Sequence, residues 1–135
     1  QGDLKFKDVT ENSGIVNDGG WSTGVTIADV NNDGYVDIYV SRELYDDNPN
    51  LRSNLLYINN TDGTFTESAK KYGVDDSQRT RHATFLDYNK DGFLDLFLLT
   101  QPPNPGGYSI FSGTELLKPE YHLKLFKNKY LYVFL

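Results

Sequence analysis

The chain has no cysteine and no methionine, and one tryptophan among its 135 residues. Without cysteine there are no disulfides and no thiolate metal site, so any covalent or soft-metal stapling of the fold is excluded. No apolar run approaches the ~20 residues that a helical membrane span needs, and no stretch reads as a signal peptide. Basic residues are outnumbered, 13 against 19 acidic, for a net charge of −6. A surface of that sign is a poor match for nucleic acid. Aromatic residues, by contrast, are plentiful: ten Tyr and eight Phe suit β structure. The length is that of one domain or part of one.

Much of the acidity is concentrated in one motif. Asp29-Val30-Asn31-Asn32-Asp33-Gly34-Tyr35-Val36-Asp37 returns 58 residues later as Asp87-Tyr88-Asn89-Lys90-Asp91-Gly92-Phe93-Leu94-Asp95. Both read D-x-N-x-D-G-aromatic-aliphatic-D. Calcium takes about six to eight hard oxygen ligands, and alternate side chains of a tight loop can converge on one point. The expected ligands are Asp29, Asn31, Asp33, the carbonyl of Tyr35 and Asp37, then Asp87, Asn89, Asp91, the carbonyl of Phe93 and Asp95. Gly34 and Gly92 stand where the chain must turn sharply. Magnesium fits less well, because it keeps its waters and demands octahedral geometry.

An EF-hand would need a bidentate Glu at the twelfth position and helices on both sides. That position holds Val40 and Leu98. The flanks, such as Val25-Thr26-Ile27-Ala28 and Ile38-Tyr39-Val40, are β-branched and aromatic, which makes these strand–loop–strand units. The competing reading is a pair of metal-free Asn/Asp-Gly hairpin turns. Such turns do not need Asp at the first, fifth and ninth positions twice over. Two calcium ions would offset four negative charges. Calcium sites of roughly millimolar affinity suit extracellular fluid.

The duplication extends past the loops. Phe6–Ile15 parallels Phe65–Val74, and Asn54–Asn60 parallels His122–Asn128. Repeats of this length point to propellers or related arrays. The expected organisation is a single repeat domain over 1–135. Residues 4–15 are an outer strand of a neighbouring blade, 16–74 a first blade, and 75–135 a second blade with a long insertion at 101–121. Expected strands are Gly24–Ala28, Asp37–Ser41, Asn54–Asn59 and Thr64–Glu67, then His82–Leu86, Phe93–Thr100, His122–Lys127 and Lys129–Phe134. Leu4–Val9 is expected as the outer strand. Asn60-Thr61-Asp62-Gly63 is a hairpin turn signal. Asn59-Asn60-Thr61 is formally a glycosylation acceptor. The insertion, with Tyr108, Phe111 and Tyr121, is either a ligand-binding loop or a self-packed connection.

In its phrases Phe6-Lys7-Asp8-Val9-Thr10, Gly24–Asp29 and Asn54–Phe65, the chain resembles the FG-GAP/VCBS repeat family. Within that family it is similar to the bacterial VCBS branch related to the cartilage acidic protein and the UnbV-associated proteins. The resemblance spans most of residues 4–100. It implies an all-β propeller, about two four-stranded blades of it, with structural calcium in the hairpin between a blade's first two strands, as in integrin α-subunits. A closed propeller needs typically four to eight blades. This chain therefore reads as a fragment, a partial propeller, or a subunit that completes a ring as a homo-oligomer or within a larger chain. The apolar stretch Lys129–Leu135 replaces the turn and polar strand of the first unit.

Three functions are open at this level. The first is a calcium-stabilised binding or adhesion module, extracellular, at the cell surface or in the periplasm, with a protein or glycan as its partner. The second is the propeller part of a polysaccharide-processing enzyme, a lyase or hydrolase. The third is a spacer in a larger surface protein. No nucleophile–base–orienter spacing is visible, so no catalytic residue is assigned. Trp21, in a Gly-rich segment, reads either as a sugar-stacking platform or as a packing anchor. Arg79, Arg81 and His82 read either as an anion-binding lead-in to a strand or as a solvated one. His122 reads as a partly buried structural histidine.

Overall fold

The β-branched and aromatic segments flanking each acidic loop form antiparallel sheets in the computed structural model, which describes residues 4–16, 18–44, 47–101 and 123–128. The first sheet contains β1 (Trp21–Ala28), β2 (Asp37–Glu43), β3 (Leu55–Asn59) and β4 (Phe65–Glu67), in that order. The second contains β5 (Arg79–Leu86), β6 (Asp95–Gln101) and β7 (Leu123–Phe126). Every pairing is antiparallel between sequence neighbours, which is the up-and-down course of a propeller blade. The described residues are thus nearly all β, in two antiparallel sheets of four and three strands consistent with a partial β-propeller.

The expected strands are present with shifted ends. β1 and β5 begin three residues earlier than expected, at Trp21 and Arg79, and each passes a bulge, between Ser22 and Gly24 and between Thr80 and His82. The matching bulges show that the units repeat down to a local irregularity. The Asn60–Gly63 turn closes the β3–β4 hairpin, with Asn60 N donating to Thr64 O at 3.0 Å. Two short helices, α1 (Pro49–Arg52) and α2 (Ala69–Tyr72), were not expected. Pro49 supplies the φ of a first helical turn, and Gly73 ends α2 in the left-handed conformation. The expected strand at Lys129–Phe134, the insertion's Tyr108, Phe111 and Tyr121, and His122 lie outside the described residues.

Leu4–Val9, expected as an outer strand, forms none; it is exposed, and a 3-10 turn follows at Thr10–Asn12. A strand needs a ladder partner, and the described residues offer this segment no sheet of its own. The internal duplication is still visible there. The Thr10–Asn12 turn stands where α2 stands in the next unit, and Gly14 and Gly73 follow them with φ of +77° and +70°. Ser13 O then accepts from Phe65 N at 2.7 Å, tying the entering chain to β4.

Register alternation gives each sheet two faces. On the first sheet Thr26, Tyr39 and Leu56 share the face that meets the second unit. On the second, Ala83, Phe85, Leu96 and Leu98 share the face that meets the first. Tyr39, Leu56, Ala83, Leu96 and Leu98 are buried together with Ala69 in one core. Tyr39 and Phe85 meet edge-to-face at 6.1 Å, a geometry that matches the positive ring edge to the negative face. The Tyr39 hydroxyl donates to Val74 O at 2.8 Å, and burial pushes its pKa well above the usual phenol range.

A polar key locks the other end of this interface. Asn54 is buried; its Oδ1 accepts from Arg42 N at 2.8 Å and its Nδ2 donates to Thr80 Oγ1 at 2.7 Å. Thr23 Oγ1 donates to Thr80 O at 2.8 Å, again from the first unit to the second. Arg42 is also buried and is held by Asp18 through two bonds of 2.8 Å. These bonds hold the Asp18 carboxyl below its ordinary pKa.

Replacement of Asn54 by Leu should destabilise the chain by about 2–3 kcal/mol in urea unfolding, because Arg42 N–H and Thr80 Oγ1 lose a partner in the interior. The Asp18–Arg42 pair carries a pH signature. Its stabilisation is present above the unfolded carboxyl value of 3.8 and is lost as pH falls through the depressed folded value. Asp18→Asn should therefore lower the unfolding midpoint at pH 6, and the difference from wild type should shrink to nothing in more acidic buffer.

Candidate metal-binding loops

Each acidic nonapeptide links the first two strands of its unit, β1 to β2 and β5 to β6. Both loops reverse with φ of +87° at Gly34 and +90° at Gly92, where a Cβ would be strained. The preceding residues Asn32 and Lys90 are also left-handed, at +58° and +60°. Asn adopts that conformation readily and Lys does not, so the second loop holds its shape at some cost.

The internal bonding of the two loops is the same atom for atom. Asp29 Oδ1 and Oδ2 accept from Asp33 N at 3.0 Å and Gly34 N at 2.7 Å. Asp87 accepts from Asp91 N at 3.1 Å and Gly92 N at 2.9 Å. Asp33 Oδ1 accepts from Tyr35 N at 2.8 Å, and Asp91 Oδ1 from Phe93 N at 3.1 Å. Asn31 and Asn89 donate Nδ2 to Asp33 and Asp91 at 2.8 and 2.7 Å. Asp29, Asn31 and Asp33, like Asp87, Asn89 and Asp91, are thus linked by hydrogen bonds to one another's side chains and to the loop's backbone N–H groups.

The ninth-position carboxylates do something that spacing alone did not reveal. Asp37 and Asp95 are 0 % and 1 % exposed. Asp37 accepts from Val30 N at 3.0 Å and from Asn59 N, on β3, at 2.8 Å. Asp95 accepts from Tyr88 N at 3.2 Å and from Asn128 N, just past β7, at 2.9 Å. Asn59 and Asn128 then donate Nδ2 to Val36 O at 3.2 Å and Leu94 O at 3.4 Å. Each carboxylate thus pins its loop to the third strand of its unit. Asn59, formally a glycosylation acceptor, has its amide turned into this anchor.

This bonding also sets the register of the repeat. Asn59 corresponds to Asn128, and Tyr57 to Phe126, because Ile38 pairs with Tyr57 as Leu96 pairs with Phe126. The expected alignment of Asn54–Asn60 with His122–Asn128 is off by one. A one-residue slip would have turned every side chain of β7 to the wrong face. The signal was present as Leu-aromatic-x-Asn in Leu56–Asn59 and Leu125–Asn128.

The donor set is hard oxygen throughout: three carboxylates, one amide and one main-chain carbonyl per loop. Among the described residues no group of three or more acidic, imidazole or thiol side chains is drawn together as a ready-made metal cluster. The loop carboxylates face backbone N–H groups instead. The donors still suit a hard cation, since a carboxylate oxygen that accepts one N–H keeps a further lone pair. Like charges also converge. Burial, followed by the charges of Asp33 and Asp29, raises the Asp37 pKa despite its two N–H donors. In the second loop the Asp91 pKa is lowered by Asn89 and Phe93 N–H, with help from Lys127. The first unit has Ile58 at the place of Lys127.

The other candidate residues lie at the far end of the same strands. β1 runs from Trp21 to the loop, roughly 23 Å at strand rise. Trp21 opens β1 opposite Glu43 and is 55 % exposed, and Arg79 opens β5 at the matching place opposite Gln101. The segment expected as a lead-in is therefore strand. Arg81 pairs with Glu43 at 3.0 Å and donates Nε to Gln101 at 2.7 Å. His82 is exposed opposite Leu99. A cleft of about 720 Å³ opens between the units beside the first loop, walled by Val30, Leu56, Phe85, Leu96 and Phe126.

A family model of FG-GAP-like repeats matches residues 1–40 and 45–98, which include both loops, the whole of β1, β3, β4 and β5, and the starts of β2 and β6. Human cartilage acidic protein 1 is 33 % identical over 97 residues, covering 71 % of this chain and 14 % of that protein. The chain thus spans about a seventh of the length of the relative it matches. With two sheets of blade topology and two equivalent hairpin loops on the page, the chain belongs to the FG-GAP-like repeat family.

Proposed function

We propose that this chain is a calcium-stabilised binding or adhesion module that acts outside the cell, with a protein or glycan as its partner. The observation that carries the reading is the atom-for-atom duplication of two loops, each with three carboxylates and one amide at the same spacing around one glycine-reversed turn. Asp29, Asn31, Asp33, Asp37 and the Tyr35 carbonyl would hold one ion; Asp87, Asn89, Asp91, Asp95 and the Phe93 carbonyl would hold the other. The ion's role is to neutralise converging charge at a hairpin, not to activate a substrate. Support for the location comes from the family, whose repeats are often extracellular. Among the described residues no helix is long and apolar enough to cross a membrane.

The two sites are not electrostatically equal. Lys90 and Lys127 stand in and beside the second loop, where the first has Asn32 and Ile58. Neighbouring positive charge disfavours a cation, so the first loop should bind more tightly.

Thermal unfolding with calcium, with magnesium and with chelator tests the reading. At calcium ten times its dissociation constant each site adds about 1.4 kcal/mol, a rise of several degrees for a chain of this size. Asp33→Asn should abolish the tighter of two calorimetric binding events and Asp91→Asn the weaker. Lys127→Ile should strengthen the weaker event. A melting temperature indifferent to calcium would overturn the reading.

A further inference from the structure

The bulges in β1 and β5 each leave one residue without a partner across the ladder, Thr23 in the first unit and Arg81 in the second. A bulge re-aims the side chain it carries. Thr23 Oγ1 donates to the second unit's backbone at Thr80 O, 2.8 Å away. Arg81 reaches back to Glu43 of the first unit. Its Nε carries one hydrogen, and that hydrogen goes to Gln101 Oε1 at 2.7 Å. Glu43 Oε2 lies 3.0 Å from the same Nε yet receives no hydrogen bond, although Glu43 is only 8 % exposed. A buried carboxylate oxygen without a donor is expensive. Among the described residues the terminal nitrogens of Arg81 also have no partner, and its side chain is half exposed. Trp21 completes the group. It stands opposite Glu43 in the β1–β2 ladder and is itself half exposed. Residues directly opposed in an antiparallel ladder project from one face, so the indole and the Glu43 carboxylate share a side of the sheet.

An aromatic face, a guanidinium fork and an unbonded carboxylate oxygen therefore meet where the two units adjoin, at the end of the strands away from the acidic loops. Charge decides which ligand suits them. Arg81 and Glu43 cancel, and the chain as a whole carries −6. A carboxylate ligand would attract Arg81 but has no hydrogen to give Glu43 Oε2. A sugar hydroxyl serves both groups, because it accepts from guanidinium and donates to carboxylate. We propose that Trp21, Glu43 and Arg81 bind a neutral sugar residue, its adjacent hydroxyls shared between the Arg81 fork and Glu43 Oε2 and its apolar ring face laid on Trp21. The proposal rests on the binding-module reading and takes its glycan branch.

Trp21 is the one tryptophan of the chain, so its emission reports this site alone. The 135-residue chain is titrated in calcium-containing buffer with the methyl glycosides of glucose, galactose and mannose, and with methyl glucuronide and galacturonide. At least one neutral glycoside should shift the emission saturably, with a dissociation constant on the order of 1 mM. The matching uronide should bind no tighter. Glu43→Gln keeps the shape of the acceptor, and Arg81→Lys keeps the charge without the fork. Each should weaken binding about tenfold or more, with circular dichroism confirming the fold. Arg81 is half exposed, so its variant decides the matter even where Glu43→Gln does not fold. Emission unmoved by every neutral glycoside up to about 100 mM, a uronide that binds more tightly than its neutral parent, or unchanged affinity in Arg81→Lys would overturn the proposal. None of these outcomes bears on the melting response to calcium, which decides the binding-module reading separately.

Discussion

A blade of this chain is a sheet with apolar residues on both faces, and that constraint governs the rest. A sheet with one wet face could stand with a single cover. Here Tyr39 and Leu56 project from one side of the first sheet, and Val25 and Ile27 from the other. One side is satisfied by the second unit through Ala83, Phe85, Leu96 and Leu98. The polar atoms at that contact are satisfied as well, through Asn54, Thr80 and Thr23. The interface is therefore specific in register as well as apolar, because a slipped sheet would strand those groups in the interior.

The acidic loops and this packing are mechanically joined by Asp37 and Asp95. Each carboxylate sits at the start of a core strand, is buried, and holds the loop's entry residue and the third strand at once. The first of these carries a raised pKa because burial and neighbouring carboxylates outweigh its N–H donors. A cation at the loop would act on the same group that organises the blade. Loop chemistry and blade stability are in this way one question, and it separates them from the Trp21, Arg79 and Arg81 end of the strands.

That far end is organised differently. Trp21 and Arg79 occupy one position of the repeat, yet share no chemistry. Arg81 reaches across to Glu43 of the first unit and is also held by Gln101 of its own sheet. The loop end of the blades keeps its residues alike, and the opposite end diversifies them. A repeat scaffold that carries recognition would have this division between a uniform structural rim and a variable one.

The sequence by itself determined the strand–loop–strand units and the duplication of their acidic loops, because these are local. A period-two pattern, a glycine at a sharp turn and a nine-residue spacing are all properties of short chain segments. The tertiary structure alone decided three things. It made Asp37 and Asp95 anchors, since their partners Asn59 and Asn128 lie 22 and 33 residues away. It set the third strands one residue out from the alignment that similarity suggested, since the register follows pairing and not resemblance. It left Leu4–Val9 out of any sheet, since strand propensity has no effect without an edge to pair with.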